Sequence, residues 1–382
     1  MVAGLAEAGE VDFLCVASPA APGRVEAPPP EGVRALRLAP RVRSKLERLR
    51  LWLTSGLPRS QLSADASALD GPIREWLGER TYDLVYFSHI HAWLLHGHLV
   101  DAAAVVDFDN LDDLVIRAAR TSRPVGAGWE RLAKWLAMQP VDLVDERRMA
   151  RLQRRCAAEV DTVTLCSALD AQRSGLSNAV AVGNGYDRTS APPASRSGST
   201  LVFVGALGYP PNADAVRWFV HEVLGDVRRS APHVVLRVVG GGEAAVEDLQ
   251  GIEGVEILGR VDDLQAELDA ATVAVVPIRS GSGTRLKVLE ALANRLPIVA
   301  TTLGAEGIDV VDGVHALLAD DAPAFARACL RLVEDAELRA ELADAGERLW
   351  DERYRWSRIR GELAGLARRV ARSHETVQPP AD

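Results

Sequence analysis

Five short apolar runs in the second half of this chain, Leu201 to Val204, Val234 to Val239, Val255 to Leu258, Val273 to Pro277 and Pro297 to Thr301, alternate with segments of helical spacing. Strands apolar along their whole length must be covered on both faces, so this alternation reads as a parallel sheet flanked by helices. Such sheets hold ligands beyond the carboxyl ends of their strands. The loops after Val204, Val239, Leu258, Pro277 and Thr301 are therefore where chemistry is expected.

The first half repeats the pattern less cleanly, with runs at Tyr82 to Phe87, Ala102 to Val106, Thr162 to Cys166 and Ala179 to Val182. Between the halves lies RTSAPPASRSGST, residues 188–200, a polar Pro/Ser/Gly stretch that suits an interdomain linker. A chain of 382 residues exceeds what one core usually organises. The expected division is a domain over 1–190, a second over 199–350, and a C-terminal helix within 351–382 returning toward the first domain before a disordered tail. MVAGLAEAGE reads as the end of an amphipathic helix and residues 11–17 as the strand after it, so the first domain is expected to lack its first βα unit. Residues 18–32, with five prolines, read as a loop.

Composition narrows the function. A net charge of -9 argues against a broad phosphate-neutralising face, and no nucleic-acid partner is expected. Cys15, Cys156, Cys166 and Cys329 are far apart and lack C-x-x-C spacing, so they read as buried free thiols. The sequence has no apolar run of 18 residues, and its opening carries acids where a signal peptide needs basic residues. A cytoplasmic setting is the expectation.

The segment richest in chemistry is VVPIRSGSGTRLKVLEALANRLPIVATTLGAEGI, residues 275–308. It reads as a buried strand, a Gly-Ser-Gly-Thr loop at 281–284, a helix from about Arg285 to Asn294, and a second buried strand. Glycines let backbone amides approach an anion, and a helix N-terminus adds partial positive charge. Arg285 and Lys287 in the first turn oppose the helix dipole unless an anion lies nearby, and a diphosphate would supply it. Glu290, a turn and a half along, suits the paired hydroxyls of a ribose. The competing reading is a solvated helix face carrying a weak Glu–Lys pair.

These residues resemble the donor site of glycosyltransferase family four and its relatives in the GT-B superfamily. The Gly-Ser-Gly-Thr-Arg-x-Lys form is similar to a subgroup of bacterial sugar transferases for polysaccharides and natural products. The resemblance covers residues 200–345. It implies an α/β GT-B fold, two Rossmann-like doubly wound domains facing a cleft, and transfer of a sugar from a nucleotide diphosphate sugar without cofactor or metal. It also implies retention at the anomeric carbon. In the family's Glu-x7-Glu motif the second position matches Glu290, while the first holds Ser282.

The resemblance further implies donor contacts from Gly205 and Asn212 in FVGALGYPPNADAVRWF, with Asn212 as an N-cap, and from Arg260 and Val261 in the GRVDD turn. Arg279, Ser282, Gly283, Thr284, Arg285, Lys287 and Glu290 complete the expected set. Arg285 and Lys287 are expected to offset the departing diphosphate. VVGGG, residues 238–242, lacks dinucleotide-binding spacing and reads as a turn.

In the first half, His89 and His91 follow a strand, on the side where such sheets keep their ligands, and the resemblance implies a histidine near the donor sugar, for which His89 is the candidate catalytic group. The acidic loop VDFDNLDD, residues 106–113, reads as lining or capping rather than as a metal site. Residues 129–156 form two amphipathic helical patterns interrupted at Pro140, with Trp129 and Trp135 read as core. The alternative is a surface that meets a lipid-linked acceptor, with peripheral attachment at the inner membrane face. Two rival functions stay open: a GT-B nucleotide-sugar 2-epimerase, and a nucleotide-sugar-binding protein without turnover.

Overall fold

The computed structural model describes residues 1–16, 33–121, 129–281 and 285–377. The chain divides into two compact units, one built from residues 1–117, 139–183 and 357 onward, the other from 118–138 and 184–356.

The first unit opens with α1 (Val2–Ala6), β1 (Asp12–Val16) and β2 (Arg34–Leu38), the two strands pairing in parallel. A two-stranded antiparallel ribbon, β3 (Arg41–Val42) with β4 (Ala64–Asp65), brackets α2 (Lys45–Thr54). Then come α3 (Asp70–Leu77), β5 (Leu84–Ser88), α4 (Ile90–His96), β6 (Ala103–Asp109) and α5 (Asp112–Thr121). α6 (Trp129–Glu159), of which residues 139–159 belong to this unit, β7 (Thr162–Leu165), α7 (Ala168–Ser174) and β8 (Ala179–Ala181) follow. β5, β6, β7 and β8 make a parallel sheet in sequence order. Phe87, Val106, Phe108, Met149, Leu152 and Val163 form its main core.

Two expectations change here. Residues 129–159 form one helix that runs through Pro140. Proline removes one backbone hydrogen bond, but the inward face after it, with Met149, Leu152 and Cys156 buried, keeps the helix continuous. Trp129 is 79% exposed and so is not a core residue. Strand β2, absent from the sequence reading, has arginines at 34 and 37 among its apolar residues (RALRL) and therefore lacks the apolar run used to find the others.

The second unit contains β9 (Thr200–Val204), α8 (Pro210–Trp218), α9 (Leu224–Ser230), β10 (Val235–Val239), β11 (Val255–Gly259), α10 (Leu264–Ala270) and β12 (Val273–Val276). It continues with α11 (Leu286–Ala293), β13 (Ile298–Ala300), β14 (Leu317–Leu318), α12 (Ala322–Glu334), α13 (Ala336–Arg353) and the start of α14 (Trp356–Val377). Aspartates start three of these helices: Asp263, Asp321 and Asp335 each accept a hydrogen bond from the backbone three residues on. All six strands are parallel in the order β11-β10-β9-β12-β13-β14, which is 3-2-1-4-5-6 counted from the first. That order reverses between β9 and β12, so the gap beyond their carboxyl ends is the topological switch point where doubly wound sheets hold ligands.

Residues 188–200 carry no regular element before β9, yet arginines tie them to the second unit. Arg196 donates to the carbonyls of Ala271, Asn294 and Arg295, and Arg188 to Ala293 O and Glu347. Asn294 caps the C-terminus of α11 and Arg295 follows it, so the cation meets carbonyls at the helix end, where negative partial charge gathers.

Candidate functional site

Three tight turns make the floor at the switch point. Gly205 N donates to Val239 O at 2.9 Å and Gly240 N to Gly259 O at 2.7 Å, so the turns after β9, β10 and β11 interlock. Gly240 has φ +141°, and a Cβ there would lie 2.0 Å from Gly205 O. Only glycine lets these backbones pass. Gly205 does a second job: a Cβ on it would lie 2.8 Å from Asn212 Nδ2 and 2.9 Å from Lys287 Nζ.

Asn212 is not the N-cap expected from the sequence. Tyr209 occupies that position and prolines fill the first two helical places, which need no N–H. Freed from capping, Asn212 donates through Nδ2 to Ala206 O at 2.9 Å and accepts through Oδ1 from Lys287 Nζ at 2.7 Å. It joins the loop after β9 to the helix after β12.

Lys287, near the start of α11, is half-buried with its ammonium 4.3 Å from the Phe203 ring centroid. Beneath it and Glu290 lies a small apolar cavity lined by Val202, Val204, Leu268 and Val276. Burial, with Arg285 adding repulsion, pushes the lysine's pKa down to about 7, against a smaller opposing pull from Glu290. Burial raises the Glu290 carboxyl above its ordinary range, opposed by a hydrogen bond from Tyr186 and by Lys287. Tyr186 is the site residue the sequence reading missed. The only signal was an aromatic in NGYD, 104 residues before Glu290, with no pattern to connect them.

Arg285 caps α11 and is buried, with Nε donating to Leu303 O at 3.2 Å and Nη2 to Gly281 O at 3.0 Å. It stitches the two loops that frame the helix start, and its charge stays beside Lys287. Arg279 lies over Trp218, 5.5 Å from its centroid, and pairs with Asp214 at 3.0 Å. Arg260 is exposed after β11, and its backbone N–H donates to Glu243. Val261 packs partly into the core. Ser282, Gly283 and Thr284 lie outside the described residues.

The structure thus brings together Gly205, Asn212, Lys287 and Glu290, with Arg285 beside Lys287, while Arg279 is held by Asp214 and Trp218 and Arg260 is exposed. His89 belongs to the first unit. It is exposed after β5 with φ 69° and ψ 149°, a conformation rare outside glycine, and its N–H donates to Asp107 O at 2.9 Å. Burial also raises Asp107, and Asp112 to about 6. Among the described residues no group of three or more His, Cys, Asp or Glu side chains is arranged to hold a metal ion.

The second unit's 3-2-1-4-5-6 order is that of a doubly wound, Rossmann-like sheet, and the first unit carries a parallel sheet of its own. Residues 198–335 match the family model described as glycosyl transferases group 1. A Klebsiella pneumoniae protein described as an uncharacterized 44.6 kDa protein in the cps region is 26% identical over 152 residues, 37% of this chain and 39% of that protein's length. Among solved structures, the fold is similar to sucrose-phosphate synthase from Thermosynechococcus elongatus, with TM-score 0.66 at 19% identity over 97% of this chain and 91% of that one. It is also similar to Anabaena HepE in complex with UDP and glucose, with TM-score 0.61 at 14% identity over 93% and 98%.

Proposed function

We propose that this chain transfers a sugar from a nucleotide diphosphate sugar to an acceptor hydroxyl, with retention and without a bound metal. What supports this reading is the pairing of Lys287 and Glu290 on one helix at the switch point, with Gly205 keeping the space above them open. An ammonium there faces the diphosphate, and a carboxylate accepts from the ribose hydroxyls. As the bond from the anomeric carbon to the diphosphate oxygen breaks, Lys287 and the helix start offset the charge gathering on the leaving group. The acceptor oxygen takes over that carbon, and its proton passes to the departing diphosphate. Arg285 contributes by holding the loops and adding its charge, a more structural part than the sequence suggested.

The first unit is assigned the acceptor, with His89 as its candidate catalytic group, and a lipid-linked hydroxyl at the inner membrane face is the acceptor class proposed. Uridine is the first base to try, since the Anabaena structure holds UDP. Calorimetric titration with UDP, GDP and dTDP tests the donor site directly. One of them should bind, and Glu290→Ala and Lys287→Met should each weaken it by about 1 kcal/mol or more while leaving the unfolding temperature near that of the parent. Absence of binding by all three to folded protein sinks the transferase reading. Interconversion of a nucleotide sugar with no acceptor present would favour the epimerase instead.

A further inference from the structure

Residues 34–50 concentrate positive charge in an acidic protein: seven arginines and lysines against the single acid Glu47. Within this stretch α2 is oriented in an unusual way. Its start is fixed by a capping box, Ser44 accepting from Glu47 N–H while Glu47 accepts from Ser44 N–H. Its inner side is fixed by Trp52, whose Nε1 donates to Asp145 Oδ1 at 2.8 Å and whose ring lies under Arg148. Leu51 is half-buried beside Trp52, but the other three leucines of α2 are not used in this anchoring. Leu46, Leu49 and Leu53 are 76%, 53% and 66% exposed, and no residue of α2 is buried. At spacings of three and four they share one face, and Arg50 falls beside them.

A surface helix of a folded domain normally turns its leucines inward. This one turns three of its four outward and surrounds them with cations. Arg41 is occupied by Glu47 and Asp65, but Lys45, Arg48 and Arg50 are exposed and have no acidic partner among the described residues. Exposed leucines flanked by free cations are complementary to a surface with negative charge outside and hydrocarbon beneath.

We infer that α2 docks on an anionic lipid bilayer, with Leu46, Leu49 and Leu53 entering the headgroup boundary and Lys45, Arg48 and Arg50 meeting lipid phosphates. A second copy of the chain would bring the same cations face to face, which disfavours self-association through this helix. The inference concerns the first unit and stands independently of the donor the second unit binds.

The test is sedimentation of the full chain with vesicles of phosphatidylcholine alone or mixed with phosphatidylglycerol, at low and high salt. The chain should bind the anionic vesicles and lose binding as salt rises. Leu46→Ser/Leu49→Ser/Leu53→Ser and, separately, Lys45→Glu/Arg48→Glu/Arg50→Glu should each lower partitioning at least about tenfold, with unchanged unfolding temperature and mass in solution. Failure of the parent chain to bind anionic vesicles overturns the inference, as does binding that neither variant alters. So does a dimer in solution that the leucine variant converts to monomer, which would assign the face to a second copy. If the leucine variant does not fold, the salt series and the charge variant still decide.

Discussion

Lys287 carries the sharpest prediction at the scale of a residue. Its pKa stands at about 7 against an ordinary 10.5, so near neutral pH the ammonium is half formed. A bound diphosphate favours the charged form, and binding must then take up a proton. Affinity should fall by up to about tenfold per pH unit between pH 7 and 9, read by calorimetry in buffers of differing ionisation heat, and Lys287→Met should remove that slope. The effect on folding runs the other way. Between about 7 and 10.5 the unfolded chain holds this proton while the folded chain sheds it, so the lysine's contribution makes the protein more stable as pH rises through that window. A pH-independent affinity would mean that Lys287 does not meet the diphosphate. None of this was visible in the sequence, which gave the lysine's position but not Phe203 beneath it or Asn212 across from it.

At the scale of elements, the interlocked turns should tolerate almost no change. Gly240→Ala would drive a methyl group into Gly205 O and strain a φ of +141°, and a loss of roughly 2–4 kcal/mol is expected in denaturant unfolding of the second unit. A loss under about 0.5 kcal/mol would show that the turns can separate. Five of the six strands of this unit were legible because each is mostly apolar, even with Arg237 in β10 and Glu256 in β11, whereas β14, two residues long, was too short to leave a pattern; α11 was legible because a glycine loop precedes a helical pattern. The errors have physical causes. Asn212 was read as a cap because local rules favour asparagine there, whereas two prolines had already moved the helix start to Tyr209. Pro140 was read as a break because the sequence does not show how much buried surface holds α6 together. Tyr186 reaches Glu290 only through the fold, and no spacing rule spans that separation.

For the whole molecule, every residue assembled at the proposed donor site comes from the second unit. A nucleotide diphosphate should therefore slow amide exchange in β9, β12 and α11 while leaving β5 to β8 unchanged, and equal protection of both sheets would show that the first unit also responds to it. The division of the chain has another outcome. Leu366 and Val370 of α14 cover Ala103 and Val105 of β6, and Gly4 in α1 packs against Arg360. The first sheet is thus made early on the ribosome but receives its cover last. At 5–20 residues per second the wait between Gly183 and Ser357 is roughly 10–35 s, during which residues 184–356 can already close. In the cell, the half of the protein that is translated first is the half that finishes folding last, and a nascent chain stalled near its end would expose that uncovered sheet to chaperones.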